Sequence, residues 1–129
     1  MEIPVGMSAM PRIAVELRSV EGERLPFDMK LDSGACITLM NADDCTLLGY
    51  RLESGKDCPL RGVGGGIETK VLKLDMRLGS RIFQDISVAF HNSPGVNEDR
   101  LFGVMDIYRK MMIQLRAAVS RNSFMSEWP

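Results

Sequence analysis

The chain has 129 residues, 45% of them hydrophobic, and its 16 Lys and Arg nearly balance 17 Asp and Glu, giving a formal net charge of -1. This length suits one domain with one core, and the charge balance argues against capture of nucleic acid by a basic surface. No apolar run approaches the roughly 18 residues of a membrane-spanning helix. Residues 1–12 also lack the basic start and apolar stretch of a signal peptide.

The cysteine pattern argues against a structural metal site. Cys36, Cys45 and Cys58 form an odd set without CxxC spacing, and the chain has a single histidine, His91, which we expect in a surface loop. Structural zinc sites need four closely spaced ligands. The thiols are therefore predicted to be reduced, which indicates a cytoplasmic protein and leaves room for an anchor encoded elsewhere.

The first predicted elements form a β-hairpin. In residues 12–20 hydrophobic side chains occupy alternate positions, Gly22 offers a turn, and residues 25–31 form the returning strand. Residues 41–50 then predict a short helix, with Asn41 as its N-cap and Gly49 at its end.

Two further strands are predicted downstream, in residues 71–78 and 81–90, where apolar and polar residues alternate; in the second, Ile82 is expected on the same face as Ile86. Residues 106–112 fit either a short turn of helix or the start of a last strand. The predicted fold class is all-β: a small closed or sandwiched domain with one or two short helices.

Asp32 is the first candidate functional residue. It ends an alternating strand and is followed by Ser33, Gly34 and Ala35. Such a corner is often only a side-chain-stabilised turn. Alternatively, its carboxylate faces a cleft, where two carboxylates that share one proton can hydrolyse an amide, one as base on water and the other as acid. No second Asp-Ser-Gly or Asp-Thr-Gly exists in the chain, so this hypothesis requires a C2 homodimer that supplies a second Asp32.

A glycine cluster is the second candidate. Four glycines and one valine stand together, Gly62, Val63, Gly64, Gly65 and Gly66. The cluster does not fit a phosphate-binding loop, because the Lys-Ser/Thr ending and the following helix of such a loop are missing. The cluster is otherwise a slack hairpin without a role, or a mobile hairpin tip that lies over an extended ligand.

Three motifs in order resemble the retropepsins, the single-domain dimeric aspartic proteases of retroviral type. "LDSGACITLM" resembles their active-site loop, "GVGGGI" their flap tip, and "RLFGVMDIY", with its Leu101-Phe102-Gly103 element, the segment before their helix. The last motif is closer to cellular and bacterial members. The resemblance covers about residues 11–118.

This resemblance implies a closed barrel-like fold and a catalytic role for Asp32 without metal or cofactor. It implies that Ser33 links the two active-site loops across the dimer, while Gly34 and the adjacent Ala35 form the loop beside the acid. Activity is expected at mildly acidic to near-neutral pH, where the pair of acids holds one proton.

The resemblance also implies that residues 62–66 form a flap, with Val63 at its tip, over an extended peptide or protein substrate. Residues 1–10 are then an N-terminal arm, 11–119 the protease domain and 120–129 a C-terminal tail. Val104-Met105 after Gly103 departs from the Arg-Asn or Arg-Asp usual in viral members. This departure leaves open an alternative function, a catalytically inactive module for peptide binding or dimerisation.

Overall fold

The computed structural model describes residues 11–32, 34–62, 65–92 and 100–121. Strands and α-helices in these residues, in chain order, are β1 (Arg12–Arg18), β2 (Arg24–Asp32), β3 (Thr38–Asn41), α1 (Ala42–Leu47), β4 (Lys56–Asp57), β5 (Leu60–Gly62), β6 (Gly65–Ile67), β7 (Thr69–Leu78), β8 (Arg81–His91), β9 (Leu101–Gly103) and α2 (Val104–Arg121). A single 3₁₀ turn at Leu52–Ser54 precedes β4.

Six of the strands close into a barrel, in the order β1-β2-β9-β3-β8-β7. The ring closes because β1 also pairs with β7, where Glu16 lies opposite Arg77 and Leu17 opposite Met76. Closure removes the exposed edges that an open sheet would present. The short β4 pairs with β7, and β5 and β6 form a separate two-stranded sheet. The all-β, closed barrel-like fold class predicted from the sequence is confirmed.

The predicted hairpin is present as β1 and β2. They pair antiparallel from Arg12–Lys30 to Arg18–Arg24, and Gly22 adopts φ +90° in the turn between them. The alternation predicted for β1 is also correct, since Val15 and Leu17 are fully buried.

The pairing of β7 with β8 corrects the phase predicted for β8. Ile82, predicted on the core face, is 45% exposed, whereas Phe83 is only 2% exposed. The cause is a β-bulge: the register shifts by one residue beside Asp85, which adopts φ +56°. Because strand side chains alternate between faces, an extra residue moves those before it to the opposite face.

Helix α1 begins and ends as the sequence predicts. The Asn41 side chain accepts a hydrogen bond from the Asp44 amide at 2.9 Å, so Asn41 is the N-cap. Past the helix, Gly49 adopts φ +85°, a conformation that favours glycine and stops the helix.

The C-terminal segment is helical and not a last strand, and the helix is longer than the short turn predicted for residues 106–112. Helix α2 runs for 18 residues from Val104, in a segment rich in Met, Arg, Lys, Gln, Leu and Ala, which favour helix over strand. Its Ile107 is buried, while Met105 and Tyr108 are exposed. Neither this helix nor α1 has the length and apolar character needed to cross a membrane.

The core fills the barrel interior with side chains from its strands and from both helices. Its largest fully buried members are Phe83, Phe90, Leu17, Met29, Met40, Leu48 and Met76. Of the ten methionines in the chain, these three help to fill the interior, which fits the use of methionine to fill irregular gaps.

Candidate active site

Asp32 ends β2 at the point where three barrel strands meet. Strand β9 lies between β2 and β3, parallel to β2, with Gly103 opposite Asp32. On its other side β9 runs antiparallel to β3, with Leu101 opposite Leu39. The chain therefore leaves β2 at Asp32, passes over the end of β9 and returns as β3. This path places the acid on a loop that is carried by rigid strands.

Local hydrogen bonds orient the Asp32 side chain. Its Oδ1 accepts a hydrogen bond from the Gly34 amide at 3.0 Å, and its carbonyl oxygen accepts one from the Ala35 amide at 3.2 Å. Asp32 is only partly buried and Gly34 is exposed. The carboxylate is thus held in a tight turn with access to solvent. Ser33, predicted to link two such loops, lies outside the described residues.

Gly103 packs against the backbone of the active-site loop. A methyl group at this position would lie 2.7 Å from Thr38 N and 2.8 Å from Ile37 O, so no larger residue fits without moving the backbone. The Gly103 amide donates a buried hydrogen bond to the Thr38 hydroxyl at 3.0 Å. Thr38 is fully buried, and sequence reasoning missed it because its partner lies 65 residues away.

Helix α2 is attached to the same loop. The Met105 amide, in its first turn, donates to the Ala35 carbonyl at 3.4 Å. Asp106 follows, and burial raises the pKa of its carboxyl, although nearby Lys110 and Arg109 and the Ser87 backbone amide oppose this shift. Its buried Oδ2 has no hydrogen-bond partner among the described residues.

A part-buried ion pair holds the start of β9. Arg100 donates two hydrogen bonds to the Asp44 carboxylate, at 2.9 and 3.0 Å, and lies 5.1 Å above the centre of the Phe27 ring. The hydrogen bonds that Arg100 donates to Asp44 raise the pKa of Arg100. The Arg100 carbonyl accepts a hydrogen bond from the amide of Lys30, a residue of β2, at 2.8 Å. Asp44 lies in the first turn of α1, and no local pattern in the sequence indicates its partner 56 residues away.

His91 is buried, and its prediction as a surface-loop residue is wrong. It is the last residue of β8, pairs with Thr69 and Asn41 on the neighbouring strands, and is 5% exposed. The prediction failed because the polar residues that follow His91 in the sequence are typical of a loop. Burial lowers the pKa of His91, and the negative charge of Asp44 acts in the opposite direction.

The glycine cluster forms the hairpin of β5 and β6, which pair antiparallel with Gly62 opposite Gly65. A methyl group at Gly66 would lie 3.2 Å from Leu60 O, a tight but not prohibitive distance. Val63 and Gly64 lie outside the described residues. The next element is strand β7, so the hairpin is not followed by the helix N-terminus that a phosphate-binding loop uses.

The structure thus brings Asp32, Gly34 and Ala35 together with Gly103, and places the glycine hairpin in a sheet of its own. In the part of the chain that the structure describes, no three His, Cys, Asp or Glu side chains cluster in a way that could hold a metal ion.

Comparisons with known proteins agree with this architecture. No family model matches the chain, and no curated protein matches it significantly. Among solved structures, it is similar to EIAV protease complexed with the inhibitor HBY-793, with a TM-score of 0.57, 19% identity, and coverage of 88% of this chain and 94% of that chain. It is also similar to a retropepsin-like aspartic protease from Rickettsia conorii, with a TM-score of 0.57, 19% identity, and coverage of 78% of each chain. The chain therefore has the fold of the retropepsin-like aspartic proteases.

Proposed function

We propose that this protein is an aspartic endopeptidase of retropepsin type, in which two copies each contribute Asp32 to one active site. The observation that carries the proposal is the placement of Asp32 in a tight turn at the end of the barrel, with Gly103 beside it. The three-strand junction gives the acid a fixed position, which catalysis by a positioned group requires.

One Asp32 is not enough for this chemistry. Hydrolysis of an amide by carboxyl groups uses one carboxylate as a base on water and a second, protonated group as an acid on the carbonyl oxygen. A twofold axis close to Asp32 brings each residue next to its own equivalent. The two acids then share one proton because both cannot be ionised easily at short distance. We expect activity at mildly acidic to near-neutral pH, without metal or cofactor.

The β5–β6 hairpin is suited to cover a substrate. Glycines stand at its paired positions Gly62 and Gly65 and at Gly66, so little side chain separates its backbone from a ligand. An extended peptide can hydrogen-bond to such a backbone as an added strand. The substrate is accordingly a peptide or an extended segment of a protein, and Val63 is the apolar tip residue that would contact it.

The variant Asp32→Asn tests the proposal, with Asp43→Asn as its matched control, since Asp43 is an exposed acid on α1. Cleavage of a peptide library should fall by about 10²–10⁴-fold in Asp32→Asn and stay unchanged in Asp43→Asn. The solution mass of both variants should remain that of a dimer.

Cleavage that survives in Asp32→Asn would end the proposal. A wild-type chain that binds peptides but turns over none, across the pH range, would instead favour the inactive peptide-binding module.

A further inference from the structure

Helix α2 presents apolar side chains on the side turned away from the barrel. Met105 is 43% and Tyr108 58% exposed and Met112 is partly buried, whereas Ile107, on another side of the helix, is buried. Isolated exposed apolar residues are ordinary, but a row of them along one helix marks an interaction surface.

The row has the spacing of a paired helix. Met105, Tyr108 and Met112 are separated by three and then four positions, and the sequence continues this alternation with Leu115 and Val119. All five belong to α2. Apolar residues at alternating intervals of three and four form the a and d positions of a heptad, through which two helices pack side by side.

The charged positions beside this row favour a parallel pair. Arg109 and Arg116 both take the e position of the heptad. In a parallel pair an e position lies next to a g position of the other helix, and the g positions here are the apolar Val104 and Met111. In an antiparallel pair the two arginines would face each other, and like charges at an interface are unfavourable.

The start of α2 lies at the candidate active site. It follows Gly103 directly, opposite Asp32 on the neighbouring strand, and the Met105 amide donates to the Ala35 carbonyl in the active-site loop. A twofold axis that brings two Asp32 side chains together therefore brings the two α2 helices close at their first turns.

We propose that the face formed by Met105, Tyr108 and Met112 packs in parallel against α2 of a second copy, and that this contact joins the two halves of the active site. The inference rests on the proposed function for its twofold axis. It names the partner as a second copy of this chain because one chain supplies only half of the acid pair.

Tyr108→Glu and Ile113→Glu form a matched pair of variants. The two residues are almost equally exposed, 58% and 57%, but Ile113 takes the b position of the heptad, outside the contact. Tyr108→Glu should weaken dimerisation in sedimentation experiments by about 30-fold or more, and Ile113→Glu should leave it unchanged. Circular dichroism confirms that both variants keep their fold. An equal loss in both variants, or in neither, would overturn the pairing.

Cross-linking tests the orientation. In a background with Cys36→Ser and Cys58→Ser, two Met105→Cys chains should form an intermolecular disulfide, since equivalent a positions meet in a parallel pair. A link that forms only when Met105→Cys is mixed with Leu115→Cys, an a position with a d position, would show antiparallel helices and overturn the proposal.

These outcomes separate this inference from the proposed function. A wild-type chain that dimerises through Tyr108 but cleaves no peptide would support the helix pair and overturn the protease. A chain that cleaves peptides, with Tyr108→Glu equally dimeric and equally active, would overturn the helix pair alone.

Discussion

Two glycines of the candidate site, Gly103 on β9 and Gly66 on β6, differ in the room that surrounds them. A methyl group at Gly103 would lie within 2.8 Å of three backbone atoms of Ile37 and Thr38, whereas one at Gly66 would lie 3.2 Å from a single carbonyl oxygen. Backbone packed on backbone cannot relax as a side chain can. Gly103 is therefore a steric requirement of the barrel, and Gly66 is not.

The hydrogen bonds around the two elements differ in the same way. Strand β9 is held by its neighbours β2 and β3, by the Thr38 hydroxyl and, through Arg100, by Asp44. Hairpin β5–β6 pairs only with itself among the described strands. The site thus combines a firmly held acid with a separately built cover, an arrangement that suits a fixed catalytic group under a segment that closes over substrate.

The largest effect is expected from exchanging the two glycines for alanine. Gly103→Ala should destabilise the fold by about 3 kcal/mol or more, because the added methyl forces the backbone apart, and Gly66→Ala by less than about 1 kcal/mol. Denaturant-induced unfolding measures both. Similar losses at the two sites would contradict the proposed difference between them.

The next effect concerns the ion pair at the start of β9. Arg100→Met leaves the Asp44 carboxylate, 6% exposed, without this partner and should cost about 3 kcal/mol. Arg12→Met is the control, because Arg12 and Asp28 form an exposed pair at 2.6 Å, whose loss should cost less than about 1 kcal/mol. If urea unfolding gave equal values for both, the pair would not hold β9.

Removing the Thr38 hydroxyl should have a smaller effect. Thr38→Val keeps the shape but leaves the buried Gly103 amide without its acceptor, at a cost of about 1–3 kcal/mol. Thr46→Val is the control. The hydrogen bond that it removes, from the Thr46 hydroxyl to the Ala42 carbonyl, is exposed, so a loss of stability of about 0.5 kcal/mol is expected. Thermal unfolding of the two variants checks this order, and a reversed order would refute it.

The smallest effect expected is the pH dependence due to His91. Burial lowers the pKa of His91 below its ordinary value of 6.5 in the folded chain, so below 6.5 the unfolded chain takes up the proton more readily. The contribution of His91 to stability is complete above that pH and is lost as the pH falls towards its folded pKa. Between about pH 7.5 and about pH 5.5, wild type should lose more thermal stability than His91→Gln. A larger loss of thermal stability in His91→Gln than in wild type would contradict this account.

Local patterns in the sequence predicted the hairpin, the β7 strand, both ends of α1 and the barrel class. They failed where a distant or irregular feature decides the outcome. The bulge at Asp85 exchanges Ile82 for Phe83 on the core face, and no local signal marks it. Thr38, Asp44 and His91 take their roles from partners far along the chain or from burial between strands.

For the site, the sequence identified Asp32 and Gly103 as parts of two motifs, and the structure places them on adjacent strands. Catalysis by Asp32, the flap and the dimer stay predictions, because each concerns a second copy or a bound peptide.

Mixing wild-type and Asp32→Asn chains tests the central claim most directly. If each active site takes one Asp32 from each copy, a mixed dimer is inactive. After subunits exchange in an equal mixture, about one quarter of the dimers are wild type on both sides. Cleavage per total protein should then fall to about one quarter of the wild-type value. A fall to only about one half would show that each chain works alone, and would contradict the shared site.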